Sequence, residues 1–243
     1  MGERSIYLLV IIEMMAILGI IAAKLTRNVQ APFLVGINTM LPVTALLAVM
    51  SGGALWRRTM IFCFVLLYLI RLNWVMTAWY GNTAGEKLKD QMSPAAFYAL
   101  PVILANSFGW LYCLPFFWAD SRRGPVDAFD GAAIAIYALG TVFHFGGDYQ
   151  KRRFKRRTDN RGKLIQTGFW RLCRHPNYFG DFLIYGSFAV VSASPWGLIA
   201  PLANVLQYFI DAIPKNEKWA HERYGVAWEA YCKRVKCFVP YLA

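Results

Sequence analysis

The chain has 243 residues, of which 57% are apolar and only 16% charged; 26 Lys and Arg against 14 Asp and Glu leave a net charge of +12. Apolar content this high, with a positive mean hydropathy, places the chain among membrane proteins and excludes a disordered chain, a coiled coil and an ordinary nucleic-acid-binding domain. Five cysteines (63, 113, 173, 232 and 237) without a CxxC pair indicate neither a disulfide framework nor a zinc knuckle, and three histidines are too few for a membrane di-iron centre, so no metal is expected.

Apolar runs long enough to cross a bilayer fall at 6–23, 33–50, 59–79, 95–118 and 128–146. Glu13 sits in the middle of the first run, which leads into Lys24 without a good cleavage site, so it reads as a helix rather than a signal peptide. The start carries Ile6 where a myristoylation signal needs Ser or Thr. Two shorter runs follow at 178–194 and 197–213, separated by a turn-rich Ala193-Ser-Pro-Trp-Gly197 that predicts a tight hairpin. Pro42, Pro101, Pro115 and Pro201 are expected kinks.

Seven spans sort the loops into two sets. One holds Lys24, Arg27, Lys87, Lys89, ten basic residues between 151 and 174, and six after 213, twenty in all; the other holds Arg4, Arg57, Arg58, Arg122 and Arg123. The positive-inside bias puts the N-terminus outside and the C-terminus in the cytoplasm. The composition shifts at 147, so the chain divides into a five-helix region, 1–146, read as a substrate chamber, and a charged, aromatic cofactor region, 147–243.

The stretch from Gly147 to Lys163 reads as a strongly cationic loop, which could simply bind anionic lipid. It runs on, however, into a helix start at Pro176 flanked by Arg171 and Arg174, with Lys151 and Lys155 one turn apart upstream. A helix N-terminus among such cations suits a polyanion. A lipid patch has no need of Asp181 inside the following span. In the tail, Glu217, Tyr224, Trp228 and Tyr231 recur near helical spacing, as an interfacial helix or as the lower wall of a pocket. There is no GxGxxG or Walker loop.

Three segments carry a resemblance: Asp148-x-Gln-Lys-x-x-Phe-Lys155, Gly168-Phe-Trp-x-x-x-Arg-His-Pro-Asn-Tyr-Phe-Gly-Asp181, and Glu217 followed by Arg223-Tyr-Gly-x-x-Trp-x-x-Tyr-x-x-x-Val235 and Pro240. From 147 onward the chain resembles membrane reductases of the sterol C14- and C24-reductase and 3-oxo-5-alpha-steroid 4-dehydrogenase type, with their bacterial relatives. Isoprenylcysteine carboxyl and phospholipid methyltransferases are more distantly similar around Arg-His-Pro-x-Tyr. The resemblance implies NADPH bound by Lys151, Lys155, Trp170, Arg174, His175, Asn177, Asp181, Glu217, Arg223, Tyr224 and Tyr231. Arg171 and Asn216 depart from it, standing where sterol reductases usually carry Gly and an acid.

The expectation is therefore an all-α, polytopic membrane protein of about seven spans with a cytoplasmic cofactor pocket in its C-terminal half. It would use NADPH to reduce a carbon–carbon double bond in a sterol, steroid or isoprenoid-like lipid, with a Tyr or carboxyl group supplying the proton. Tyr178 and Asp181 are the catalytic candidates. The alternative is an S-adenosylmethionine-dependent lipid or prenylcysteine methyltransferase. Its place would be a bacterial inner membrane or the endoplasmic reticulum, its partners a lipid-like substrate and the bilayer, with no nucleic acid. Polar groups at membrane depth that could face a substrate are Glu13, Arg71 with Asn73, Asn106, and Asn204 with Gln207.

Overall fold

The computed structural model describes residues 3–80 and 92–242, and every regular element among them is helical. Lys87 and Lys89 lie outside the described residues. Six stretches are long and apolar enough to cross a membrane: Glu3–Thr26, Gln30–Met50, Leu55–Ala78, Pro94–Ala119, Ala128–Arg156 and Pro195–Tyr224. The run expected near 178–194 is the 17-residue helix Pro176–Ser192. At about 1.5 Å per residue it sits at the short end of what spans a bilayer. The protein is an all-α polytopic membrane protein.

The chain forms two compact units: one runs to Asp127 and includes Ser192–Gly197, the other comprises Ala128–Val191 and everything from Leu198 onward. The first unit contains α1 (Glu3–Thr26), α2 (Gln30–Asn38), α3 (Met40–Met50), α4 (Leu55–Val75), α5 (Pro94–Asn106) and α6 (Leu114–Ala119). Ser93 caps α5, its hydroxyl accepting from Ala96 N at 3.2 Å ahead of Pro94 in the first turn. Of the four prolines expected to kink helices, only Pro101 lies in a helix interior. Pro42, Pro115 and Pro201 fall in first turns, where a missing N–H costs nothing.

Glu13, Asn73 and Asn106, polar groups at membrane depth in this unit, are each hydrogen-bonded. Asn106 Nδ2 donates to Glu13 Oε1 at 3.2 Å, and Asn38 and Asn73 exchange amide hydrogen bonds at 2.8 and 3.0 Å. Arg57, 1% exposed, donates to the carbonyls of Arg122 and Pro125. Arg4 pairs with Asp120. An apolar groove of about 410 Å³ opens between Met15, Leu18, Leu25, Leu34 and Val35.

The second unit contains α7 (Ala128–Arg156), α8 (Phe169–Leu172), α9 (Pro176–Ser192), α10 (Ile199–Gln207), α11 (Ile213–Tyr224) and α12 (Val226–Arg234). The first part of the expected basic loop is helix: α7 continues through Gly147 as far as Arg156. Lys, Arg and Gln are good helix formers, and Arg153, Lys155 and Arg156 lie in the last turn, where the helix dipole favours cations. The span expected to end near 213 likewise runs on through a π-helical turn at Tyr208–Ala212 into α11. It stops at Gly225, whose φ of +51° most residues avoid.

Candidate functional site

Close approach of α7 and α9 sets the interior end of the site. A Cβ on Gly180 would lie 2.2 Å from His144 N and 2.6 Å from Gly140 O, so only paired glycines permit this crossing. It places the buried imidazole of His144 beside the buried carboxylate of Asp181, with Nδ1 3.6 Å from Oδ1. The other carboxylate oxygen of Asp181 accepts from Asn204 Nδ2 at 3.1 Å and from the Tyr208 hydroxyl at 2.5 Å. The Tyr208 ring stacks on Tyr178 at 4.3 Å, and Tyr178 on His175 at 5.4 Å. Asn216 Nδ2 donates to the Tyr178 hydroxyl at 2.7 Å. A continuous file of aromatic and ionisable side chains thus connects His175 to His144.

Its outer end is organised by Glu217. One oxygen of that carboxylate accepts from Arg174 Nε at 2.9 Å and from His175 Nε2 at 3.2 Å. Arg174 also donates to the carbonyl of Val235 at 2.9 Å, and the backbone N–H groups of Arg174 and His175 donate to the carbonyls of Lys236 and Cys237. The tail is thereby stitched onto the segment ahead of α9, and Phe238 packs among Phe179, Phe182 and Phe209. Burial opposes the charge on Arg174, but the hydrogen bond and charge of Glu217 outweigh it and raise its pKa. Burial lowers the pKa of His175 despite the pull of Glu217.

Burial pushes the Cys173 thiol up to about 12, and burial with the Glu217 charge pushes Cys237 up to about 11. His175, Glu217 and Cys237 bring ligand-type atoms within 4.8 Å of one another. The guanidinium on the same carboxylate and the protonated thiol make this a hydrogen-bonded clamp.

Along the outer turns of α7, Lys151 and Lys155 lie one turn apart. Lys151 Nζ sits 4.7 Å from the centre of the Trp170 ring. That ring is locked, because Trp170 Nε1 donates to Gly147 O at 2.9 Å and its own carbonyl accepts from the Tyr231 hydroxyl at 2.5 Å. Arg223 stacks over Tyr224, and its charge repels that of Lys155. Among the described residues Lys151, Lys155 and Arg223 make no salt bridge, and the Asn177 amide makes no hydrogen bond.

The sequence-predicted residues therefore gather in two groups. Lys151, Trp170 and Tyr231 form one. Arg174, His175, Glu217, Tyr178 and Asp181 are linked in the other, with Arg174 and His175 engaged by Glu217. Tyr224 packs with Trp228 and Tyr231 under the tail. Sequence reasoning missed His144 and Tyr208. His144 was within reach, because residues 144, 148, 151 and 155 repeat at helical spacing on one face of α7. Tyr208 had no such signal, since a π-helical turn shifts the register of its face.

A family model described as a protein of unknown function (DUF1295) matches residues 20–235. The Delta(14)-sterol reductase erg24 of Schizosaccharomyces pombe is 31% identical over 166 residues, covering 56% of this chain and 37% of that protein. The Delta(14)-sterol reductase TM7SF2 of Mus musculus is 32% identical over 90 residues, covering 33% and 20%. The Delta(14)-sterol reductase of Methylotuvimicrobium alcaliphilum is 27% identical over 160 residues, covering 54% and 37%. The matched stretch thus covers well under half the length of each of these relatives. It belongs to the DUF1295 family, within the sterol-reductase-like membrane proteins.

Proposed function

We propose that the chain is an NADPH-dependent membrane reductase that saturates a carbon–carbon double bond in a sterol-like lipid. The Delta(14)-sterol reductases among its relatives support the reaction class. The observation that carries the reading is the file His175–Tyr178–Tyr208–Asp181–His144, which holds ionisable groups in register beside a cluster of cations lacking salt bridges.

The residues present fit the dinucleotide. Lys151, Lys155 and Arg223 supply charge for its phosphates, Trp170 a fixed flat face, and Asn177 an uncommitted amide for a ribose hydroxyl or carboxamide. When bound there, NADPH supplies a hydride to one carbon of the double bond. The second carbon needs a proton, and in this reading Tyr178 holds it. Its hydroxyl accepts from Asn216, which orients the Tyr178 O–H. Asp181 acts through Tyr208 as a positioning residue: it anchors the ring that stacks on Tyr178.

The test is ligand-induced thermal shift on the purified protein, with NADPH and S-adenosylmethionine side by side, together with turnover of a sterol carrying a double bond at carbon 14. NADPH should stabilise both wild type and Asp181→Asn, while turnover by the variant falls about 10²-fold, the scale of losing one positioned catalytic group. A shift with S-adenosylmethionine and none with NADPH would overturn the reading in favour of a methyltransferase.

A further inference from the structure

The tail of the second unit borders an open cleft of about 460 Å³ lined by residues that include Gln166, Arg171, Tyr231, Arg234, Lys236 and Tyr241; the three cations and Tyr241 are exposed. Its volume falls in the range of small-molecule sites. Three of its lining residues are cationic and none is acidic. Arg234 is held in place, donating from one NH2 to Gln166 Oε1 at 2.6 Å and from Nε to the Ala230 carbonyl at 3.2 Å. The side chains of Arg171 and Lys236 have no hydrogen-bond or ion-pair partner among the described residues.

The wall opposite α8 is built with backbone strain. Tyr241, an aromatic residue, adopts φ +65°, and its N–H donates to Leu172 O at 3.3 Å. Left-handed backbone is unfavourable for a residue with a bulky side chain and persists only where surroundings fix it. Here it brings the end of the tail across α8, so that Tyr241 and Lys236 face the same cleft as Arg171. Three cations border the cleft with no acidic side chain among its described lining residues, a balance that favours an anion there. The guanidinium forks of Arg171 and Arg234 match phosphate oxygens in two-point contact, and the exposed Tyr241 ring offers a flat surface to an organic group attached to the phosphate.

We infer that the Arg171–Arg234–Lys236 cleft is a second anion site, which binds a phosphate group carried on a larger organic body. Two sources share that chemistry, a nucleotide phosphate and the headgroup of an anionic lipid. The inference does not rest on the cofactor reading, since none of the three cations was needed there.

The experiment uses the full chain, melted in detergent with increasing 2′,5′-ADP, and separately in nanodiscs of phosphatidylcholine with or without phosphatidic acid. At least one probe should raise the melting temperature of wild type, with a rise that shrinks as salt is added. Arg171→Gln/Lys236→Gln should bind the responding probe at least about tenfold more weakly, the loss expected for charge-assisted contacts. Its melting temperature without probe should stay at the wild-type value, because neither side chain has an internal partner. Arg153→Gln, an exposed cation outside the cleft, should behave as wild type. A response confined to 2′,5′-ADP assigns the site to a nucleotide phosphate; one confined to phosphatidic acid assigns it to a headgroup. No response to either probe, or equal binding by wild type and the double variant, overturns the inference. Failure of NADPH to bind wild type, with the phosphatidic acid response intact and sensitive to the double variant, would sink the cofactor reading alone.

Discussion

Glu217 shows how one side chain can tie several segments of the chain together. Arg174, read from the sequence as lining the cofactor, donates to Glu217 and to the carbonyls of residues 232 and 235. The pattern Arg-His-Pro announces a cation ahead of a helix, but not that an acid 43 residues later would reach it. Glu217→Gln keeps the size of the side chain and removes its charge, leaving a half-buried guanidinium without its carboxylate. We expect a loss of about 1.5–3 kcal/mol, the worth of a hydrogen bond to a charged group, read as a lower denaturant midpoint. An unchanged midpoint would mean that the clamp adds nothing to stability. Asp181, by contrast, was legible in kind. A carboxylate inside an apolar span requires partners, and it has Asn204, Tyr208 and His144.

At the scale of elements, spans were legible wherever apolar residues ran unbroken, and hard to read where a helix outlasted its apolar stretch. Charge marked 147–156 as loop, yet nothing in that stretch after Gly147 breaks a helix, and α7 runs straight through. The crossing of α7 and α9 could not be read at all, because a lone glycine in a helix does not reveal what approaches it. Gly180→Ala tests that crossing. Its methyl group would meet backbone atoms of α7, which cannot swing aside, and should cost about 1–3 kcal/mol or more. Gly186→Ala on the same helix points into open space. It should leave stability unchanged or raise it by about 0.5–1 kcal/mol. Equal effects of the two would show that α7 and α9 do not depend on the close approach.

For the whole molecule, the division of twenty basic residues against five leads us to expect residues 160 and 236 on one side of the membrane. Single cysteines at these positions, in a protein stripped of its five native thiols, should react alike with an impermeant reagent added to sealed vesicles. Labelling from opposite faces would refute the seven-span arrangement. Both positions belong to the second unit, where the hydrogen bonds of Arg174 and His175 reach forward some sixty residues to Val235, Lys236 and Cys237. Synthesis proceeds from the N-terminus, and those partners leave the ribosome after every helix of the unit has been made. Until they emerge, Arg174 and His175 lack the carbonyl acceptors at Val235, Lys236 and Cys237. In the order of synthesis, the carbonyls that complete this clamp therefore follow the helices it ties together.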